Sequence, residues 1–143
     1  MATNEEQIRT LIERWAAAVH AGDMAGVLAD HTDDIVMFDI PPPYEGVRGI
    51  DAYRETWPGF FEWQRIACFE IESLEIVAGD DVAFAYALLL CGAPAHLAAH
   101  PEHRVWLTLG LRKENSVGLS RTNTTRSRTP PPTTRPAADR RLP

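Results

Sequence analysis

Asp39 is the residue of this chain best placed to do chemistry. It lies in the run Ile35-Val36-Met37-Phe38-Asp39-Ile40, just before Pro41, Pro42 and Pro43. Successive side chains of an extended strand point to opposite faces. Ile35, Met37 and Asp39 therefore share one face, and Val36, Phe38 and Ile40 the other. An acid on an apolar stripe is either a strand end reaching water or the working group of a pocket. In a pocket it would serve as a general base. A free aspartate titrates at about 3.9 and is a feeble base. Desolvation against an apolar wall raises that value towards the useful range. Both readings of Asp39 stay open at this point.

Other groups carry weaker signals. His96, His100 and His103 fall close together with Glu102. Imidazoles and carboxylates bind divalent metals, but this spacing fits no compact zinc motif and no cysteine accompanies it. A solvated loop is expected there, with no metal site and no cofactor. Asp33 and Asp34 read as turn acids ahead of a strand. There is no phosphate-cradling glycine loop, dinucleotide fingerprint or nucleophile elbow.

The elements that must position Asp39 follow from periodicity and punctuation. Thr3-Asn4-Glu5-Glu6 reads as a capping box. Ile8, Leu11, Ile12, Trp15 and Val19 then recur at helical spacing until Gly22. Asp23 caps a shorter helix carrying Met24, Val27 and Leu28. A strand spans 35–40, and a helix starts near Asp51. Pro58 either ends that helix or opens a new turn. Aromatics cluster from Tyr53 to Trp63, where core packing is the more frequent use and ligand stacking the alternative.

Three long strands are expected next: 66–77, 82–92 and 103–113, with 93–101 as a loop. The middle one is almost wholly apolar, as in a strand covered on both faces. The third alternates Val105, Leu107, Leu109 and Leu111 against Trp106, Thr108, Gly110 and Arg112. Helices first and strands afterwards predict an α+β fold: a curved, mainly antiparallel sheet with three N-terminal helices packed on one face.

Composition sets the bounds. The chain has 143 residues, 45% of them hydrophobic, enough for one domain with one core. Residues 1–115 hold 19 acids against 8 Lys and Arg, and so acidic a body argues against nucleic-acid binding. No apolar run approaches the roughly 20 residues of a membrane helix, and no signal peptide is apparent. Cys68 and Cys91 are expected as buried free thiols. A cytoplasmic location is expected.

The segments Arg14-Trp15, Ala21-Gly22-Asp23, Val36-Met37-Phe38-Asp39, Gly49-Ile50-Asp51-Ala52-Tyr53 and Leu109-Gly110-Leu111-Arg112-Lys113 resemble the nuclear-transport-factor-two-like superfamily. They are most similar to its SnoaL-like and ketosteroid-isomerase-like bacterial members, over residues 3 to about 115. The resemblance implies a cone around an apolar pocket, and a homodimer. Steroid isomerases of that superfamily use a first-strand aspartate as base, which implies that role for Asp39. Their oxyanion-hole tyrosine and late aspartate correspond to Trp15 and to a position near Trp106. A tryptophan offers one N–H but is neither a phenol nor an acid, so steroid isomerisation itself is not implied.

Residues 116–143 differ from the body. They hold six Thr, six Arg and five Pro, with no aromatic residue, and are expected to be a disordered basic tail. The domain of residues 1–115 then lacks a final strand beside 103–113. Codons from Ser116 to Ser127 read two bases later are compatible with Arg-Trp-Val-Val-Ala-His-Glu-His-His-Ser-Phe-Pro, an apolar strand with a polar end. A frameshift near residue 115 and a genuine tail are both open.

The functional expectation is an enzyme, isomerase- or lyase/hydrolase-like. It would abstract a proton from a small, largely apolar molecule with Asp39 as base. Trp15, Phe38, Tyr53, Trp57, Phe61 and Trp106 are the expected pocket wall. The alternative is a non-catalytic ligand-binding or dimerisation module of the same fold. No nucleic-acid or membrane partner is expected.

Overall fold

Helix α1 (Asn4–Ala21) begins where Thr3 and Glu6 close the expected capping box, and ends at Gly22, whose φ of 69° is left-handed. Asp23 caps α2 (Met24–Leu28) by accepting from the Gly26 N–H. Strand β1 (Val36–Met37) pairs antiparallel with β2 (Val47–Arg48). Helices α3 (Ile50–Glu55) and α4 (Trp57–Gln64) follow, with Pro58 in the first turn of α4. Pro58 thus starts a new helix, where its missing N–H costs nothing. The computed structural model describes residues 2–39, 41–114 and 118–128, the last segment by its backbone alone.

A four-stranded antiparallel sheet forms the second layer, in the order β3 (Cys68–Ala78), β4 (Val82–Gly92), β5 (Arg104–Glu114), β6 (Gly118–Arg128). Its curved inner face presents Ala85, Ala87, Leu89, Leu107, Leu109 and Leu111 to Ile8, Ile12, Trp15 and Val19 of α1. Burying each large aliphatic side chain is worth roughly 1.5–3 kcal/mol. The α+β cone with helices on one face is the expected architecture. No helix among the described residues is long and apolar enough to cross a membrane.

Several details differ from expectation. β1 is two residues long, with β2 as an additional partner. Gly46 lets that pair close: at its φ of 87° a Cβ would meet the Phe38 ring at 2.8 Å and the Met37 carbonyl oxygen at 2.9 Å. The segment 93–101 contains a helix, α5 (Pro94–Ala99). Its Leu97 side chain packs over Gly92, where a Cβ would stand 3.3 Å from Leu97 Cδ2.

β4 is covered on one face only. Ala85, Ala87 and Leu89 are buried, while Val82, Phe84, Tyr86 and Leu88 are exposed. β6 falls within the segment expected as a tail. Gly118–Arg128, expected to be unstructured, pairs with β5 from Arg104↔Arg128 to Glu114↔Gly118. The open backbone groups of β5 supply the driving force, and threonines at 122, 124 and 125 suit an extended chain. The remainder of the expected tail, 116–117 and 129–143, lies outside the described residues, as does Ile40.

Candidate functional site

The interior is aromatic. Trp15, Tyr53 and Trp57 are buried and meet edge to face: Trp15 and Trp57 centroids lie 6.1 Å apart, Tyr53 and Trp57 5.7 Å. Such pairs add to the gain from burial alone. Phe61 tilts against Trp57 at 5.7 Å, and Phe69 closes on Trp15 at 5.9 Å. α1, α3, α4 and β3 each contribute a ring to this cluster. Phe60 and Phe61 are half-buried and Trp63 is exposed, so packing dominates the aromatic segment, as expected.

Of the six expected wall residues, the fold therefore brings together Trp15, Tyr53, Trp57 and Phe61. It leaves out Phe38 and Trp106, which are 41% and 40% exposed. Phe38 covers the β1–β2 turn at Gly46. Trp106 stands on the face of β5 opposite Leu107 and Leu109, as the two-residue period of the strand requires.

Asp39 follows β1 by two residues and is exposed. Ile35 and Met37, which precede it with the same parity, are buried. Its carboxylate acts on Cys91, an inner-face residue of β4. That thiol is pushed up to about 11, first by burial, then by Cys68, then by Asp39. Cys68 and Cys91 are both free and half-buried, and Cys68 Sγ lies 3.5 Å from the Leu90 carbonyl oxygen. Asp39 is therefore within electrostatic reach of the end of β4. A depression of about 230 Å³ opens at the same end of the sheet, lined by Phe61, Gln64 and Phe69 among others. Gln64 Nε2 donates to the Val19 carbonyl at 2.7 Å and ties α4 to α1 there.

Two polar features escaped the sequence reading. The indole N–H of Trp57 is buried and meets no acceptor among the described residues. A buried donor without an acceptor is costly. His31 lies against Tyr53, with ring centroids 4.7 Å apart, and its Nδ1 is 3.0 Å from the Ala29 carbonyl oxygen. Neither position carries a motif. Asp34, expected as a turn acid, is held by Arg112 at 3.1 Å, and that guanidinium keeps its carboxyl below the usual range.

Comparisons agree with this architecture. An NTF2-like protein of unknown function from Pseudomonas putida KT2440 is 29% identical, with a TM-score of 0.71 over 83% of this chain and 82% of that one. A candidate ketosteroid isomerase from Shewanella frigidimarina shares the fold at 12% identity, TM-score 0.66, over 81% of this chain and 91% of that one. A candidate dehydratase of the NTF2-like family from Streptomyces avermitilis does so at 12% identity, TM-score 0.68, over 86% and 94% respectively. No curated protein matches the sequence. The SnoaL-like domain profile matches residues 8–117. With most of its length matched, and with the helix-lined sheet that the match implies, the chain belongs to the SnoaL-like domain family.

Proposed function

We propose that this protein binds a small, largely apolar carbonyl compound at the rim of its aromatic interior and abstracts a proton from it with Asp39. The observation that carries the proposal is the position of Asp39. It lies two residues beyond buried Met37 and acts electrostatically on inner-facing Cys91. The aromatic rings offer apolar contact, and the Trp57 N–H offers a donor for a carbonyl oxygen. An acceptor there would polarise the carbonyl and acidify the adjacent C–H. Because Asp39 is exposed, the desolvation that strengthens a carboxylate base has to come from the substrate covering it. The candidate isomerase and dehydratase among the structural neighbours are compatible with such chemistry. Fluorescence titration with a panel of apolar ketones tests the binding step, since Trp15 and Trp57 line the interior.

A second reading concerns the sheet's outer face. Phe84 and Tyr86 stack there at 6.1 Å, beside exposed Leu88 and Trp106. An apolar patch of this kind marks an association surface. We infer that a second copy of the chain covers it, giving a homodimer with the candidate sites facing away from the interface. Sedimentation velocity tests this.

A further inference from the structure

The turn between α5 and β5 gathers a second set of groups, unrelated to the aromatic interior. The rings of His96 and His103 lie 4.9 Å apart and those of His100 and His103 4.6 Å apart. Glu102 Oε1 stands 3.8 Å from His100 Nδ1 and 4.0 Å from His103 Nε2. On the other side of the His103 ring, Nδ1 is 2.9 Å from His96 Nε2.

We propose that His100 Nδ1, Glu102 Oε1 and His103 Nε2 form a binding site for a divalent transition metal of the zinc type, with His96 orienting His103. The three ligand atoms lie within 4.8 Å of one another. Around tetrahedral zinc, with bonds of about 2.0–2.2 Å, neighbouring ligand atoms stand roughly 3.3–3.5 Å apart. Closing the site therefore needs a contraction of about half an ångström at the carboxylate and of up to about 1.3 Å between the two imidazole nitrogens. The His100 and His103 rings, now 10° from parallel, must also open so that both lone pairs meet one ion. His100, with its side chain 49% exposed, has room to rotate. Two imidazoles and one carboxylate leave a coordination position for water or an exogenous ligand.

The surroundings separate this cluster from a chance group of surface histidines. A metal-bound imidazole generally hands its other ring N–H to an acceptor, which fixes its tautomer. When His103 Nδ1 is the donor to His96 Nε2 in their 2.9 Å contact, the His103 Nε2 lone pair is left for the ion, the tautomer that ligation needs. The turn itself is clamped. Arg104 Nη1 donates to the carbonyl oxygens of Pro101 and His103, at 2.8 Å each. Its Nε and Nη2 donate to the two oxygens of Glu72 at 2.6 and 2.9 Å. Glu72 is the extra residue of a β-bulge, where the β3–β4 register shifts between Ile71 and Ser73. The bulge thus aims a carboxylate at Arg104, and this bidentate pair both holds the ligand turn and offsets a positive charge that would oppose a cation.

The test is isothermal titration of the full chain with zinc chloride, alongside imidazole NMR of the unsubstituted protein. One zinc per chain is expected to bind with micromolar or tighter affinity. His100→Ala, Glu102→Gln and His103→Ala should each weaken it by about tenfold or more, and His96→Ala by about 10–100-fold. Cys68→Ser/Cys91→Ser should bind as the parent does. In the unsubstituted protein, zinc should shift the ring resonances of His100 and His103 and leave those of His20 unchanged. Absence of binding at millimolar zinc overturns the proposal. So does affinity indifferent to His100→Ala and His103→Ala, or a zinc response spread equally over His20.

Discussion

Asp39 lies two residues beyond β1 and Cys91 on β4 of the larger sheet, yet the Asp39 carboxylate helps hold the Cys91 thiol at about 11, after burial and Cys68. The segment that follows β1 therefore comes within electrostatic reach of the end of β4. The consequence is measurable. A negative charge beside a thiol disfavours the thiolate, so removing it lowers the thiol pKa. In a Cys68→Ser background, Asp39→Asn is expected to speed iodoacetamide alkylation of Cys91 about twofold or more at pH ~9. An unchanged rate would mean that Asp39 points away from β4.

Trp15 touches both Trp57 and Phe69 and is 4% exposed. Trp15→Ala is expected to destabilise the protein by about 3–5 kcal/mol in urea or guanidinium unfolding. A loss within about 0.5 kcal/mol is the behaviour of a surface residue and would contradict its place in the aromatic cluster.

Much of this was legible because each signal was local. Thr3 with Glu6, Gly22 and the five apolar positions of α1 mark that helix without reference to anything distant. The inner face of β5 followed from alternation, which equally put Trp106 on the other face. Its expected place in the pocket came from family resemblance instead, and the strand period prevailed. β2 is two residues long, too short for any period to register. In α5, Pro94 at the helix start was the available signal, but its small residues resemble a loop. The His96–His103 pairing depends on α5 folding back over Gly92, and no spacing encodes that.

The exposed stripe on β4 explains why that strand is apolar throughout although the helices cover only one side. Tyr86→Lys places a charge in the centre of the stripe, with Phe84 and Leu88 as neighbours on the same face. The substitution is expected to shift sedimentation from dimer to monomer with little change in the far-ultraviolet spectrum. A monomeric parent protein, or a dimer indifferent to Tyr86→Lys, would place the contact elsewhere.

β6 occupies the edge beside β5, yet Leu119 is the one aliphatic residue of 118–128. A segment of this composition offers little apolar surface. Replacing residues 116–127 with the shifted-frame sequence Arg-Trp-Val-Val-Ala-His-Glu-His-His-Ser-Phe-Pro is expected to raise the urea midpoint, at about 25 cal/mol per Å² of apolar surface newly buried. An equal or lower midpoint would favour the present sequence as the native edge strand.

Hydrogen–deuterium exchange into a bound ketone bears most directly on the proposed chemistry. The protein is incubated in D2O with those members of the apolar ketone panel that quench its tryptophan fluorescence, and loss of the α-proton signal is followed by NMR. Asp39 acting as base predicts exchange faster than in buffer, falling by about 10²–10⁴-fold in Asp39→Asn, while the fluorescence titration of that variant stays within a few-fold of the parent. Exchange undiminished by Asp39→Asn, or a bound ketone that exchanges no faster than in buffer, would contradict a catalytic role for Asp39.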